Sequence, residues 1–392
     1  MSMNIRRHKR LFTILLVIAL GFALATFLRL IAFSAFKLSG KPTWEEVVKP
    51  GAWSAENSSA TTMAVYSLFG VKLYIGTRND ALGCQVWGFD GRMWSVVSES
   101  GIGNSRNKEV TAMAVFNSAL FAGTRNSEGC EVRRYEGTIG WTLVTKLGFG
   151  VGEDNVAVSS MAVLGNNLYV GTRSTTGGFD LYRSPDGTTW ETVTRDGFGH
   201  PDYSTAASMT VFDDGSGPRL YIGTTAAGGC GVLSYGGAGA VATVEGKDGL
   251  GDRGNDTALS CAVYKSKLYI GTRNSSGCQV RRFEDKGRWT LVGKQGFGNA
   301  EGNKEVSSLF TAGSHLHAGT GPGTNTGPAE SCQLFRTGGG NAPYEWSSEN
   351  VNGFADDHNR SIRSCAVYNN QLYVGTSNPK EGCGIYRFSE LR

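Results

Sequence analysis

The sequence predicts an all-β fold built from repeated four-stranded antiparallel units, and three observations carry that prediction. Glycine supplies 56 of the 392 residues and proline only nine; that glycine share is roughly twice the usual one. It lacks the every-third-residue period of collagen, and inside helices each glycine would cost about 1 kcal/mol relative to alanine. A short motif, an aromatic or leucine followed by a small or branched residue and Gly-Thr, recurs with its glycine at Gly76, Gly123, Gly171, Gly223, Gly271, Gly319 and Gly375, at spacings of 47, 48, 52, 48, 48 and 56. Six of the eight tryptophans, Trp44, Trp94, Trp141, Trp190, Trp289 and Trp346, keep one register with it. A period near 48 marks one supersecondary unit stacked on itself.

Within a unit the first strand is an apolar run such as Met161-Ala162-Val163-Leu164. A Gly-Asn or Asn-Asn turn leads to the second, Leu168-Tyr169-Val170-Gly171-Thr172. After a loop come a third run, as in Cys278 to Phe283, and a Trp-led fourth, as in Trp289 to Val292. Short β-branched and aromatic runs bounded by Gly, Asn and Asp read as strands, and Asp90-Gly91 and Asp186-Gly187 as hairpins. Seven such units form a seven-bladed β-propeller. The last repeat stops after its third strand, Cys383 to Phe388, and Trp44-Glu45-Glu46-Val47-Val48 supplies the missing fourth. The N-terminal strand therefore closes the ring and protects the edges of the terminal blades.

Residues 1–10 form a basic tail, 11–36 a transmembrane signal anchor, 37–41 a linker, and 42–392 the propeller. Leu11 to Leu28 carries no charge, and the apolar character resumes after Arg29 through Phe36, enough to cross a hydrocarbon core of about 30 Å while Arg29 snorkels. Arg6, Arg7, Lys9 and Arg10 keep the N-terminus in the cytoplasm, which sends the propeller to the periplasm or extracellular space. A cleaved signal peptide ending near Ala23-Leu24-Ala25 is the rival reading and exports the domain equally. Seven of the 38 basic residues precede position 42 with no acid among them, leaving 31 against 34 acidic residues. No basic stripe for nucleic acid is present.

Six residues before the first core position of each inner strand stand Asn57, Asn107, Asn155, Tyr203, Asn255, Asn303 and Asn359. These loops, which carry Gly-aromatic-Gly sequences such as Gly148-Phe149-Gly150, share a face with the residues after Gly-Thr: Arg78, Arg125, Arg173 and Arg273. Two readings stand. Asparagine in loops bonds nearby backbone, so the repeated positions hold blades together. Alternatively Asn107, Asn155 and Asn303, with the four arginines, form a ring of donors facing a glycan or an acidic partner.

Cys84, Cys130, Cys230, Cys278, Cys332 and Cys383 share one position at the start of the third strand, in separate blades, too far apart to pair. Cys261 and Cys365 sit in inner strands, and all eight read as small buried hydrophobes. The register tryptophans read as packing between blades, which leaves Trp53 and Trp87 as candidates for a local role. No CxxC, His-Glu-x-x-His or Gly-x-Ser-x-Gly pattern occurs. Hence no catalytic residue, metal or cofactor is expected. His315 and His317 alternate along what reads as an inner strand, facing the central channel. Asp213-Asp214 and Asp356-Asp357 read as solvated turns, with calcium the alternative. Sequons at Asn57, Asn255, Asn274 and Asn359 largely coincide with the repeated asparagine.

Residues 42–392 resemble the bacterial-type seven-bladed propellers, and Ser184-Pro185-Asp186-Gly187-Thr188-Thr189-Trp190 is similar to an Asp-box hairpin, one residue shorter than the usual form. The Trp-Asp ending of WD40 repeats and the paired glycines of kelch repeats are missing. The resemblance implies the architecture; sialidases and sugar-binding proteins are among the propellers that share the hairpin. The expected function is a membrane-anchored, extracytoplasmic, non-catalytic binding or assembly module that contacts membrane or surface proteins. A glycan-binding lectin is the alternative, a glycoside hydrolase the third, and the repeats place no carboxylate pair at a shared position for the latter.

Overall fold

A computed structural model describes residues 44–285, 287–323 and 331–389. The tail, anchor and linker expected over 1–41 lie outside them. Among the described residues no helix is long and apolar enough to cross a membrane, and the fold is all-β with 28 strands.

Consecutive strands pair antiparallel as meanders of four. In one of them Asn155–Leu164 pairs with Asn167–Ser174, that strand with Leu181–Ser184, and the last with Glu191–Thr194. Gln371–Ser377 pairs with Ile385–Phe388, and the fourth place beside the latter is taken by Trp44–Val48 from the other end of the chain. The N-terminal strand thus lies where the sequence puts it. Neighbouring meanders meet where the residue after Gly-Thr bridges the next inner strand, as in Arg78 with Glu109, Arg125 with Ala157 and Arg173 with Thr205.

A belt of hydroxyl-to-carbonyl bonds runs through the inner strands. Thr61 donates to the Val110 carbonyl (2.6 Å), and Thr111 donates to that of Val158. Ser160 continues it to Ala206 (2.6 Å), Ser208 to Ala258 (2.8 Å) and Ser260 to Val306 (2.8 Å). Ser307 reaches Ile362 (2.8 Å), and Ser364 returns to Ala60 (2.7 Å), so the belt closes on its first strand. The closeness of these strands explains the glycine of Gly-Thr. A Cβ at Gly223 would stand 2.6 Å from the Ala258 carbonyl oxygen, and one at Gly123 would stand 2.3 Å from Val158 Cγ1, where overpacking has no room to relax.

The register tryptophans latch neighbouring meanders together. The indole N–H of Trp141 donates to the Val97 carbonyl, that of Trp190 to Val144, Trp289 to Glu245, Trp346 to Val292 and Trp44 to Glu349, at 2.8 to 3.0 Å. Trp94 instead stacks on Phe89 and meets Trp53 edge-on, and Trp53 stacks flat on Trp87 at 4.7 Å. The two out-of-register tryptophans therefore serve packing as well.

The six register cysteines are buried, and all eight are free thiols. Burial pushes Cys230, Cys261 and Cys383 up to about 12 and the others higher still. Iodoacetamide at pH 8 should leave the six register cysteines unmodified in the folded chain and alkylate all eight after unfolding, read by mass spectrometry, Cys261 and Cys365 being only partly buried. Rapid labelling of those six in the native chain would contradict their burial. In the unfolded chain these thiols ionise from about pH 8.5. Because the folded values are raised, their contribution to stability is complete below that pH and is lost as pH climbs toward 12.

Candidate functional site

The inner strands do not run straight. In each, the register slips between the second and fourth residues of the same short run, as between Ala60 and Thr62, Val110 and Ala112, Val158 and Ser160. The same slip falls between Ala206 and Ser208, Ala258 and Ser260, Val306 and Ser308, and Ile362 and Ser364. A bulge re-aims the extra side chain. The skipped residues are Thr61, Thr111, Ser159, Ala207, Leu259, Ser307 and Arg363, and all of them line a single cavity of about 640 Å³. Sequence reasoning missed this set. Five of the seven are small or hydroxyl-bearing, but Leu259 and Arg363 are neither, so no uniform residue type marks the position.

Outward from the bulges a second cavity of about 690 Å³ shares Glu109, Arg173, Leu259, Arg273 and Arg363 with the first. Arg125 lines the inner one; Arg78, Arg360 and Lys380 line the outer. The structure therefore gathers all four arginines expected from the register around one opening. It adds Arg360 and Arg363, which come from the repeat in which Gly-Thr is followed by Ser377 instead of arginine.

The arginines are not equivalent. Arg125 bridges Asp80 (2.7 Å) and Glu109 (2.9 Å), and Arg78 also holds Asp80. Burial works against charge on Arg125, but Asp80 and Glu109 outweigh it and hold the guanidinium above its ordinary value. Burial likewise opposes charge on Asp80, and the two guanidiniums keep its carboxyl below the usual range. Arg273 pairs with Asp256 (2.8 Å). Arg363 has only a long contact to Glu305, 3.7 Å, and that carboxylate also accepts from Ser361 (2.9 Å). Among the described residues Arg173 and Arg360 have no ion-pair partner.

The asparagines do not belong to this opening. Asn107, Asn155 and Asn303 are at most 1% exposed, which removes them from any contact with a ligand on the face. Asn107 Nδ2 donates to the Gly101 carbonyl (3.0 Å) and Glu131 (2.7 Å), while its oxygen accepts from Thr124 (3.1 Å) and Asn126 (3.0 Å). Asn155 joins Gly148, Asp180 and Thr172 in the same way, and Asn303 joins Gly296, Gln333 and Thr320. Each ties the glycine turn, Gly-aromatic-Gly at Asn155 and Asn303 and Gly101-Ile102-Gly103 at Asn107, to the Gly-Thr strand and to the third strand. The turn itself holds an aromatic at positive φ, Phe149 at +59°, a conformation that costs a bulky residue energy. Its flat stack on Tyr182 at 4.0 Å offsets that cost.

Other expected positions fall elsewhere. His315 and His317 lie on the second strand of their meander, not the inner one. His317 is buried against Glu349 (3.0 Å), away from the central opening, because the Gly-Thr motif that follows it ends a second strand. Asp213 caps a turn by accepting from the Gly215 and Gly217 amides. Asp356, His358 and Glu381 approach one another closely enough to hold a metal. However, Lys380 Nζ lies 2.9 Å from His358 Nε2, and Asn378 donates to Asp356, so the group is knit by its own hydrogen bonds. In the Asp-box-like hairpin Asp186 accepts from the Thr189 and Thr188 amides, which hold its carboxyl far below the usual range.

No family model and no curated protein matches the chain. Solved structures do resemble it. The BP39L lectin from Burkholderia pseudomallei is 12% identical with a TM-score of 0.62, covering 86% of this chain and 97% of its own. A chain of the mitotic checkpoint complex is 12% identical at 0.55, covering 89% and 92%. An ancestral GH74 enzyme is 12% identical at 0.56 over 90% of this chain and 51% of its own. At such identity the likeness is one of fold: a β-propeller.

Proposed function

We propose that the chain is a membrane-tethered, extracytoplasmic, seven-bladed propeller that works as a non-catalytic binding module, docking a membrane or surface protein over its central opening. The observation that carries the reading is convergence: the bulged residues of the inner strands and the arginines of several repeats meet around one cavity. Bulges beside a cavity are the usual means of aiming side chains at a ligand. A rigid ring with one charged face suits assembly, and the apolar run at 11–28 would tether the chain to a bilayer. The cavity carboxylates support binding over catalysis. Glu109 is held by Arg125 and Glu305 is shared by Arg363 and Ser361, so both are already engaged by other lining side chains.

Cross-linking of the full chain in its native membranes tests this. The expected result is a stoichiometric protein partner joined through Lys108 and Lys380, on the face of the opening, and lost in the Arg173→Glu, Arg360→Glu variant. Cross-links through Lys72 and Lys267, on the strand-turn side, or a partner indifferent to the variant would overturn it.

A further inference from the structure

We infer that the occupant of the central opening is an extended acidic peptide segment whose carboxylates are gripped by Arg173, Arg360 and Arg363. The inference rests on the binding-module reading above and names its ligand. From position 42 onward the chain is slightly acidic, with 31 basic and 34 acidic residues, yet among the described residues seven cationic side chains and two carboxylates line the two joined cavities. Such segregation in a concave site focuses a positive potential on whatever enters.

The partners already present say where the ligand binds. Asp80, Glu109 and Asp256 occupy Arg78, Arg125 and Arg273. Arg173 and Arg360 have no ion-pair partner among the described residues, and Arg363 has only its 3.7 Å contact. A guanidinium fork is satisfied by a planar oxyanion that accepts two hydrogen bonds at once. These forks span both cavities: Arg173 and Arg363, the latter at a bulge, line the inner and the outer one, and Arg360 lines only the outer. Carboxylates on flexible stems along a chain can reach both cavities together.

The rest of the lining favours a peptide over a sugar acid. No Phe, Tyr or Trp is among the described lining residues, so the CH face of a sugar ring has no aromatic platform to stack on. Leu259, Pro322 and Pro379 offer small apolar surfaces that the methylenes of Glu side chains can cover, while hydroxyls such as Ser159 and Thr205 face the space between.

The test uses the full chain in detergent with a rhodamine-labelled deca-glutamate peptide, followed by fluorescence anisotropy. Binding is expected, weakening as salt rises. It should fall by about tenfold or more in Arg173→Ala, Arg360→Ala, fall by less in Arg173→Lys, which keeps charge but loses the fork, and stay unchanged in Arg288→Ala, whose exposed pair with Asp285 lies elsewhere. Unlabelled deca-glutamate should compete about ten times better than oligogalacturonate or inorganic phosphate. Thermal melts of each variant separate lost binding from lost fold. No binding by the wild-type chain, equal binding by a folded double alanine variant, or better competition by oligogalacturonate or phosphate would each overturn the inference. If the peptide fails while partner cross-links persist at Lys108 and Lys380, this ligand is wrong and the module reading stands. If the cross-links map to the other face, that reading fails whatever the peptide does.

Discussion

Deleting Trp44 to Val48 should leave a chain that no longer melts cooperatively as a monomer. These five residues are the fourth strand of the last meander, paired with Ile385–Phe388. Without them that strand presents an unpaired edge, and exposed edges recruit other chains. The loss is also one of packing. Val48 is buried beside Cys383 and Ile385, and Trp44 meets Phe354 edge-on at 5.0 Å and packs on Phe388. Its N–H also latches Glu349 at 3.0 Å. Trp44→Ala alone should cost about 3 kcal/mol, a melting temperature lower by ~5 °C in a domain of this size. Size-exclusion chromatography with light scattering and a thermal melt check both variants. A deletion variant that stays monomeric with an unchanged melting temperature would show that the ring does not depend on this closure.

Much of this architecture was legible because the repeat offers the same strand several times. Gly-Thr endings, tryptophans and the split last meander can be aligned by counting alone. What counting could not show was contact between strands. A bulge shifts pairing by one residue and leaves no mark in one strand's sequence, so Thr61 and Arg363 read as ordinary alternating positions. Arg78 to Arg273 were found because they recur at one offset. Arg360 and Arg363 were missed because their repeat moves its positive charge from the end of the second strand to the start of the first. The asparagines show the reverse failure. Their register was plain, but their partners Glu131, Asp180 and Gln333 lie 24 to 30 residues away on other strands, so position alone could not separate a buried clamp from an exposed donor.

Asn107→Ala should therefore lower stability by about 3 kcal/mol, and the folded fraction should still bind whatever the central opening binds. Removing the amide leaves the Asn126 side-chain N–H without its buried acceptor, at about 1–3 kcal/mol, and takes one of two donors from the Gly101 carbonyl, which keeps the Asn104 N–H at 3.1 Å. Glu131 keeps Asn104 (2.6 Å) and Arg133 (2.8 Å), and Thr124 keeps the Glu131 carbonyl (3.3 Å), which limits the total. Asn107→Asp should be worse at neutral pH, because it sets a second carboxylate against Glu131 in a buried site. Like charges raise the pKa of such a pair. The variant's stability should accordingly recover as pH falls through the raised value and the pair takes up a proton, the opposite of ordinary acid destabilisation. Arg173→Ala should show the converse of Asn107→Ala, with binding reduced and the melting temperature within ~1 °C of the parent, as for most exposed substitutions. Melts from pH 4 to 8, paired with peptide titrations, distinguish the two classes. If Asn107→Ala abolished binding at full stability, the buried hydrogen bonds would not be its role, and the division between a clamping asparagine and a binding arginine would fall.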